Sequence, residues 1–438
     1  MVNPVNKILY KEENMSSSTP TISPNTPEKP FEYIHNPFVE SKSDDSFIDD
    51  FFSRKVMEEV RNFHKQIPGY RISPLKNLSN LASMLGVAGI WVKDESDRMK
   101  LNSFKILGGS YAIGKYIQSR LGIQDQPLSF AELTADKTEE KVGKIVFSAA
   151  TDGNHGRGVA WAASQLGYQS IIYVHKLTSK ARIEAIERNG AKVVVVDGNY
   201  DDAVRQVNID SEKNGWQVIS DTSWEGYEEI PQWVMQGYST MIGETQEQLA
   251  AQGLIKPSHI FVQAGVGALA GSVIGYYAKL FGKNRPKTIV VEPTLAPCLY
   301  ESVVVGDGEP HSYLGDLDTI MAGLACGDPN PLAWKILREY ADYFVKCPDY
   351  VAAKGMRVYG MPLQGDPFIV SGESGAVTLG FLMFLMLWDG AEEFRQKLQL
   401  GHNSQILLIN SEGNTDPNHF RHVVWEGSKS TPPEYRYF

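Results

Sequence analysis

Lys144-Ile145-Val146-Phe147-Ser148-Ala149-Ala150-Thr151-Asp152-Gly153-Asn154-His155-Gly156 joins an apolar run to a glycine-bearing turn, and a helical pattern over 160–166 follows. A short apolar run without alternation fits a strand covered on both faces, the setting of a parallel sheet. The unit recurs along the chain. Ile90-Trp91-Val92-Lys93 follows a helical stretch that Ile72-Ser73-Pro74-Leu75 enters through Leu78, Leu81, Met84 and Leu85. Ile171-Ile172-Tyr173-Val174 and Val193-Val194-Val195-Val196 flank a helix over 179–189. Ile260-Phe261-Val262, Ile289-Val290-Val291 and Ile406-Leu407-Leu408-Ile409 repeat the pattern. Such strands with helical crossovers predict an α/β fold built on mostly parallel twisted sheets.

The chain has 438 residues, enough for two or three domains with cores of their own. Its 42 Lys and Arg against 52 Asp and Glu give a formal net charge of −10, which argues against nucleic acid or an anionic membrane as partner. Cys298, Cys326 and Cys347 are scattered without metal-ligand spacing. Neither a metal site nor a disulfide framework is expected from them, and a reducing, cytoplasmic compartment is. No apolar run approaches the roughly 20 residues that a membrane helix needs. The first residues lack a signal-peptide core, and Glu12 and Glu13 count against a transit peptide. Residues 1–45 read as a disordered tail, since 16–30 are rich in Ser, Thr, Pro and Asn. Order is expected from Phe47 to Phe52, then an amphipathic helix over 56–66.

Ligands of such sheets bind beyond the carboxyl ends of the strands, so the residues there are the candidates for chemistry. Asn102-Ser103-Phe104-Lys105-Ile106-Leu107-Gly108-Gly109 places one lysine in an apolar, glycine-bearing segment ahead of a helix. A lysine in a dry pocket loses its proton more readily, and the neutral amine forms Schiff bases. Alone, the octet reads sooner as a snorkelling lysine at a helix start. After Ser148, the glycines admit a ligand close to the backbone while Asn154 offers a donor and an acceptor. After Gln263, Ala264-Gly265-Val266-Gly267-Ala268-Leu269-Ala270-Gly271 opens a helix over 273–280. Unpaired N–H groups and a positive dipole end suit a phosphate there. The same loop satisfies a relaxed dinucleotide fingerprint, Gly265-x-Gly267-x-x-Ala270, with Glu292 ending the next strand. An NAD-dependent oxidoreductase is therefore the alternative outside the class, and a catalytically silent cofactor-binding protein another. Asp221, after Gln217-Val218-Ile219-Ser220, reads alone as a helix cap. Ser411, after Leu408-Ile409-Asn410, is either a strand cap or a hydroxyl for a ring nitrogen.

Taken in order, these stretches resemble the fold type II pyridoxal-phosphate enzymes, those of the tryptophan-synthase-β/threonine-dehydratase fold, from about residue 60 to the C-terminus. The resemblance implies two three-layer domains with pyridoxal 5'-phosphate in the cleft between them. The large cofactor domain would span 46–108 and 245–438, and the small one 109–244. Ser103-Phe104-Lys105 matches the family's Ser-x-Lys, which carries the cofactor. Asn154 matches the asparagine that meets the phenolic oxygen of the ring. Gly265, Val266, Gly267, Ala268 and Leu269 match the phosphate loop. Ser411 matches the serine of a Ser-Gly-Gly-Asn segment, which faces the pyridine nitrogen. A small amino-acid substrate and a homodimer are also implied.

Within the family the denser resemblance is to the ammonia-lyases that act on 2,3-diaminopropionate. Val92-Lys93-Asp94-Glu95-Ser96, Thr151-Asp152-Gly153-Asn154-His155-Gly156-Arg157-Gly158, Asp221-Thr222-Ser223-Trp224-Glu225-Gly226-Tyr227 and Met321-Ala322-Gly323-Leu324-Ala325-Cys326-Gly327 carry it. It implies amino-acid catabolism by α,β-elimination of the D- and L-isomers to pyruvate and ammonia. Lys105 would be the base toward the L-isomer, Asp152 the base on the opposite face, and Asp221 a second carboxylate. Asp152 alone also reads as a helix N-cap. A serine/threonine dehydratase and a β-replacement synthase are the alternatives inside the class. The chain departs from the pattern in its long N-terminal stretch, in Ile72-Ser73 before Pro74, and in the fewer glycines of its phosphate loop.

Overall fold

The Val- and Ile-rich runs form strands because branched side chains fit a pleated surface covered on both faces. The computed structural model describes residues 29–40, 46–151 and 153–436. Its strands in chain order are β1 (Glu32–His35), β2 (Leu75–Asn77), β3 (Gly89–Asp94), β4 (Val146–Thr151), β5 (Gln169–His175), β6 (Lys192–Val196), β7 (Gln217–Val218), β8 (His259–Gln263), β9 (Lys287–Pro293), β10 (Tyr343–Cys347) and β11 (Gln405–Asn410). Seven make one sheet in the order β1-β10-β9-β8-β11-β3-β2, and four make another, β6-β5-β4-β7. The smaller sheet is parallel throughout. In the larger one β10, β9, β8, β11 and β3 run parallel, and β1 and β2 close its edges antiparallel. The fold is thus α/β with mostly parallel sheets.

Several local expectations are corrected. Part of the stretch taken as a tail, 1–45, is folded: β1 pairs with β10, and the Phe31 ring lies 5.0 Å from Phe381 and 5.6 Å from Trp388. Tyr33 stacks on Phe394 at 3.8 Å, and buried Asn36 donates to Ala341 O at 2.7 Å. Burial of two aromatic rings outweighs the polar composition around them. Residues 1–28 and 41–45 lie outside the described residues. The helix expected from Pro74 starts only at Ser79, because Leu75 to Asn77 pair with β3. The helices expected over 160–166 and 273–280 start earlier, as Asn154–Gln165 and Ala268–Phe281. Their motif residues therefore occupy first helical turns, where backbone N–H groups lack helical partners.

Helix Glu373–Leu387 is apolar almost throughout because it is buried along nearly its whole length. Among the described residues no single helix is long and apolar enough to cross a membrane, and no cluster of three His, Cys, Asp or Glu side chains is placed to hold a metal.

Two features aim the residues that precede and follow Lys105. Met99, Lys100 and Asn102 have φ of 49°, 62° and 56°, a left-handed backbone that costs side-chain-bearing residues roughly 1–2 kcal/mol each. Anchors at both ends hold it. Before it, buried Arg98 donates to Glu95 and to Glu244, and Lys93 also reaches Glu244, all at 2.7–2.9 Å. After it, Gly413 N donates to Asn102 O at 2.9 Å and Phe104 N to Ser411 O at 3.2 Å. Helix Ile106–Leu121 then packs very closely on Glu229–Gly237. A Cβ on Gly108 would lie 2.6 Å from the Tyr238 ring and 2.8 Å from Val234 O, so only glycine permits the approach.

Candidate active site

The carboxyl ends of β4, β8 and β11, and the turn after β7, open into one cavity of about 460 Å³. Lys105, Asn154, Asp221, Gly265, Val266, Gly267, Ala268, Leu269 and Ser411 all line it. Residues read from five separate stretches are thereby brought together. Asp152 lies outside the described residues.

Lys105 Nζ is 2.9 Å from Asp221 Oδ2, and both side chains are largely withdrawn from solvent. Burial pushes the Asp221 carboxyl up, but the Lys105 ammonium and His155 pull it down further, to about 2. Asp221 is held from behind. Its carbonyl accepts Asn330 Nδ2 at 2.9 Å, while Asn330 N donates to Val266 O at 2.7 Å. Buried Asn330 therefore ties the Asp221 turn to the glycine loop. His155 Nε2 donates to Ile219 O at 2.8 Å and fixes the same turn from the other side. Tyr238 lines the cavity with its ring edge-on to Phe104 at 4.7 Å; its buried hydroxyl has no partner among the described residues.

Gly267 has φ of +101° and ends the loop at the first turn of helix Ala268–Phe281. A Cβ on Gly265 would lie 3.1 Å from Leu324 Cα and from Cys326 Sγ. The loop is thus a narrow cradle at a positive helix end, which suits a phosphate. On the far side, Gln263 Nε2 donates to Ser411 Oγ at 2.8 Å. The serine oxygen already accepts a hydrogen bond, which leaves its own hydrogen for a ring nitrogen. An amine, a phosphate cradle and a hydroxyl donor fit pyridoxal phosphate.

The dinucleotide alternative loses its acidic residue. The Glu292 carboxylate is fully buried and accepts Leu299 N at 2.8 Å and Tyr300 N at 2.7 Å, so it caps helix Cys298–Val305 and cannot meet a ribose. Gln263, Asn330, Tyr238 and Glu412 were not identified as site residues from sequence. Gln263 had a usable signal, a polar residue closing an apolar strand, and Asn330-Pro331 is a helix-start signature.

Asp221 also links pH to stability. Its carboxyl falls from the ordinary 3.8 to about 2 on folding. It therefore adds stability that is complete above about pH 4 and lost as pH falls through about 2. In the cofactor-free protein, Asp221→Asn is expected to lower stability by roughly 2 kcal/mol at neutral pH and to remove that part of the acid dependence. Urea midpoints between about pH 2 and pH 6 measure this. Midpoint curves that run parallel for variant and parent would detach Asp221 from Lys105.

Residues 67–411 match the family described as pyridoxal-phosphate dependent enzyme. The chain is 48% identical over 373 residues to the diaminopropionate ammonia-lyase of Salmonella typhimurium, covering 85% of this chain and 92% of that protein. It superposes on holo diaminopropionate ammonia lyase from Escherichia coli with a TM-score of 0.84 and 44% identity, over 92% of this chain and 98% of the other. The same enzyme in complex with an aminoacrylate-PLP azomethine intermediate matches with a TM-score of 0.83, over 91% and 98%.

Proposed function

Since this chain belongs to the pyridoxal-phosphate dependent enzymes, and within them to the diaminopropionate ammonia-lyases, we propose that it is a carbon–nitrogen lyase converting D- and L-2,3-diaminopropionate and water to pyruvate and two ammonia. The observation that carries the reading is the carboxylate of Asp221 against Lys105 Nζ inside a cavity that also holds a phosphate cradle and Ser411. A substrate with an ammonium on its β-carbon needs an anion beside the reacting centre, and expelling an amine needs a positioned proton source.

When bound, pyridoxal phosphate supplies the carbonyl that captures the substrate amine and the conjugated ring that draws off electrons from the broken Cα–H bond. Lys105 would hold the cofactor, and its free amine would take the Cα proton of the L-isomer. Asp152 takes that of the D-isomer from the other face. Asp221 would grip the β-ammonium and keep it in the protonated form in which it leaves as ammonia. Residues 265–269 would hold the phosphate, and Asn154 would meet the ring oxygen. Ser411 would donate a hydrogen bond to the ring nitrogen without adding a charge. A neutral partner there makes a weaker electron sink, which favours loss of a β-substituent over transamination.

The division into a cofactor unit, 46–108 and 245–438, and a small unit, 109–244, belongs to the same proposal. It is supported by the two sheets, whose strands fall within those ranges apart from β1. Homodimeric assembly, a cytoplasmic location and a catabolic role rest on the resemblance and on the sparse cysteines.

The test is a substrate profile of the purified protein. Both isomers of diaminopropionate should give two ammonia per pyruvate, at a kcat/KM well above that for either isomer of serine or for threonine. Equal or better turnover of serine or threonine would replace this reading with a dehydratase.

A further inference from the structure

Asn154 and Glu412 meet across the cleft. Asn154 opens helix Asn154–Gln165, which follows β4 of the four-stranded sheet, and Glu412 follows Ser411 beyond the end of β11 in the seven-stranded sheet. Asn154 Nδ2 donates to Glu412 Oε2 at 2.6 Å, a short bond of the charge-assisted kind. The carboxylate is itself fixed. It is 2% exposed, and Oε1 accepts Ser374 N at 3.1 Å in the first turn of helix Glu373–Leu387, where unpaired N–H groups suit an anion. Its backbone pairs with Ser103, two residues before Lys105. The side chain stands where the family's Ser-Gly-Gly-Asn segment has a glycine.

An asparagine amide has two unlike ends, and either can be turned to a ligand. A carboxylate only accepts, so the NH₂ end must face Glu412, and the second hydrogen on that nitrogen is left for the cleft. The reversed amide would set oxygen against oxygen. We infer that Glu412 is a positioning residue: through Asn154 it fixes the amide so that an N–H, and not the carbonyl oxygen, meets the oxygen of the cofactor ring. The bond also makes the grip on the ring depend on contact between the two halves of the chain. The inference rests on the cofactor reading above.

The test is a double-mutant cycle on the full chain. Pyridoxal phosphate is titrated by visible absorbance, and the visible circular dichroism of the loaded protein is recorded. Glu412→Ala should weaken cofactor binding roughly tenfold or more, the loss expected when a hydrogen bond to a charged group is removed. Combined with Asn154→Ala it should add no more than about twofold to the loss from Asn154→Ala alone, because the two act as one unit. Glu412→Gln keeps an acceptor for Ser374 N and therefore the fold. It should still lower the circular dichroism of the bound cofactor, since a neutral amide no longer dictates which end Asn154 presents. Losses that multiply in the double variant, or an unchanged dichroic band in Glu412→Gln, would leave Glu412 as a helix cap and overturn the inference. A parent protein that binds no pyridoxal phosphate would overturn this inference and the cofactor reading together.

Discussion

Lys105→Ala abolishes turnover of L-2,3-diaminopropionate. The loss should exceed the 10²–10⁴ or so typical of one general base, because the covalent anchor and the base disappear together. Cofactor should still bind, since residues 265–269, Asn154 and Ser411 reach the cavity independently of the lysine. It should wash out more readily, and borohydride should no longer fix a pyridoxyl group to the protein. The variant also strips Asp221 of its partner at 2.9 Å and leaves a buried carboxylate unpaired. The cofactor-free variant should therefore be less stable than the parent at neutral pH and lose less on acidification. Pyruvate release, peptide mapping after borohydride and urea midpoints give the three readouts. Retained activity, or a pyridoxyl group on another lysine, would move the anchor elsewhere.

Asp152→Asn separates the two isomers. A flat ring has two faces, and in the function proposed above Lys105 serves one of them. Asp221 contacts Lys105 directly, so it belongs with the lysine. His155 is committed by its Nε2 to Ile219 O. In that function the other face belongs to Asp152, the role that the resemblance implies. Replacement by Asn keeps the size and most of the hydrogen bonding but deletes the base. Turnover of the D-isomer should fall by about 10²–10⁴, with a smaller loss on the L-isomer that appears mainly in KM. The bound cofactor's absorbance should not change. Small, equal losses on both isomers would reduce Asp152 to a helix cap.

The sequence shows some of this architecture and hides the rest, for physical reasons that differ from residue to residue. The runs Val193 to Val196 and Ile260 to Val262 are legible because burial on both faces demands unbroken branched side chains. Glu32 to His35 is not: four residues at a sheet edge carry no such demand, and the partner strand lies some three hundred positions away. Lys105 is conspicuous as a charge among apolar neighbours. Nothing local says that it touches Asp221, since a contact over 116 positions is a property of the fold. Asp221 accordingly reads as a cap when taken alone. Glu412 is hidden differently. A glutamate after a strand looks like a solvated end, and only the assembled cleft shows it buried against Asn154.

The place of β11 has a consequence for how the enzyme comes into being. It lies between β3 and β8 in the middle of the larger sheet, yet it is the last strand to be synthesised. The segment before Lys105 is held in its left-handed course by bonds to residues 411 and 413. A nascent chain still lacking its final residues therefore has no strand between β3 and β8 and lacks the bonds from residues 411 and 413 to the segment before the lysine. The closing contacts span most of the polypeptide, which makes the last stage of folding slow. Cofactor capture is therefore expected only after β11 has joined the sheet, and a chain cut short before β11 is expected to bind no pyridoxal phosphate.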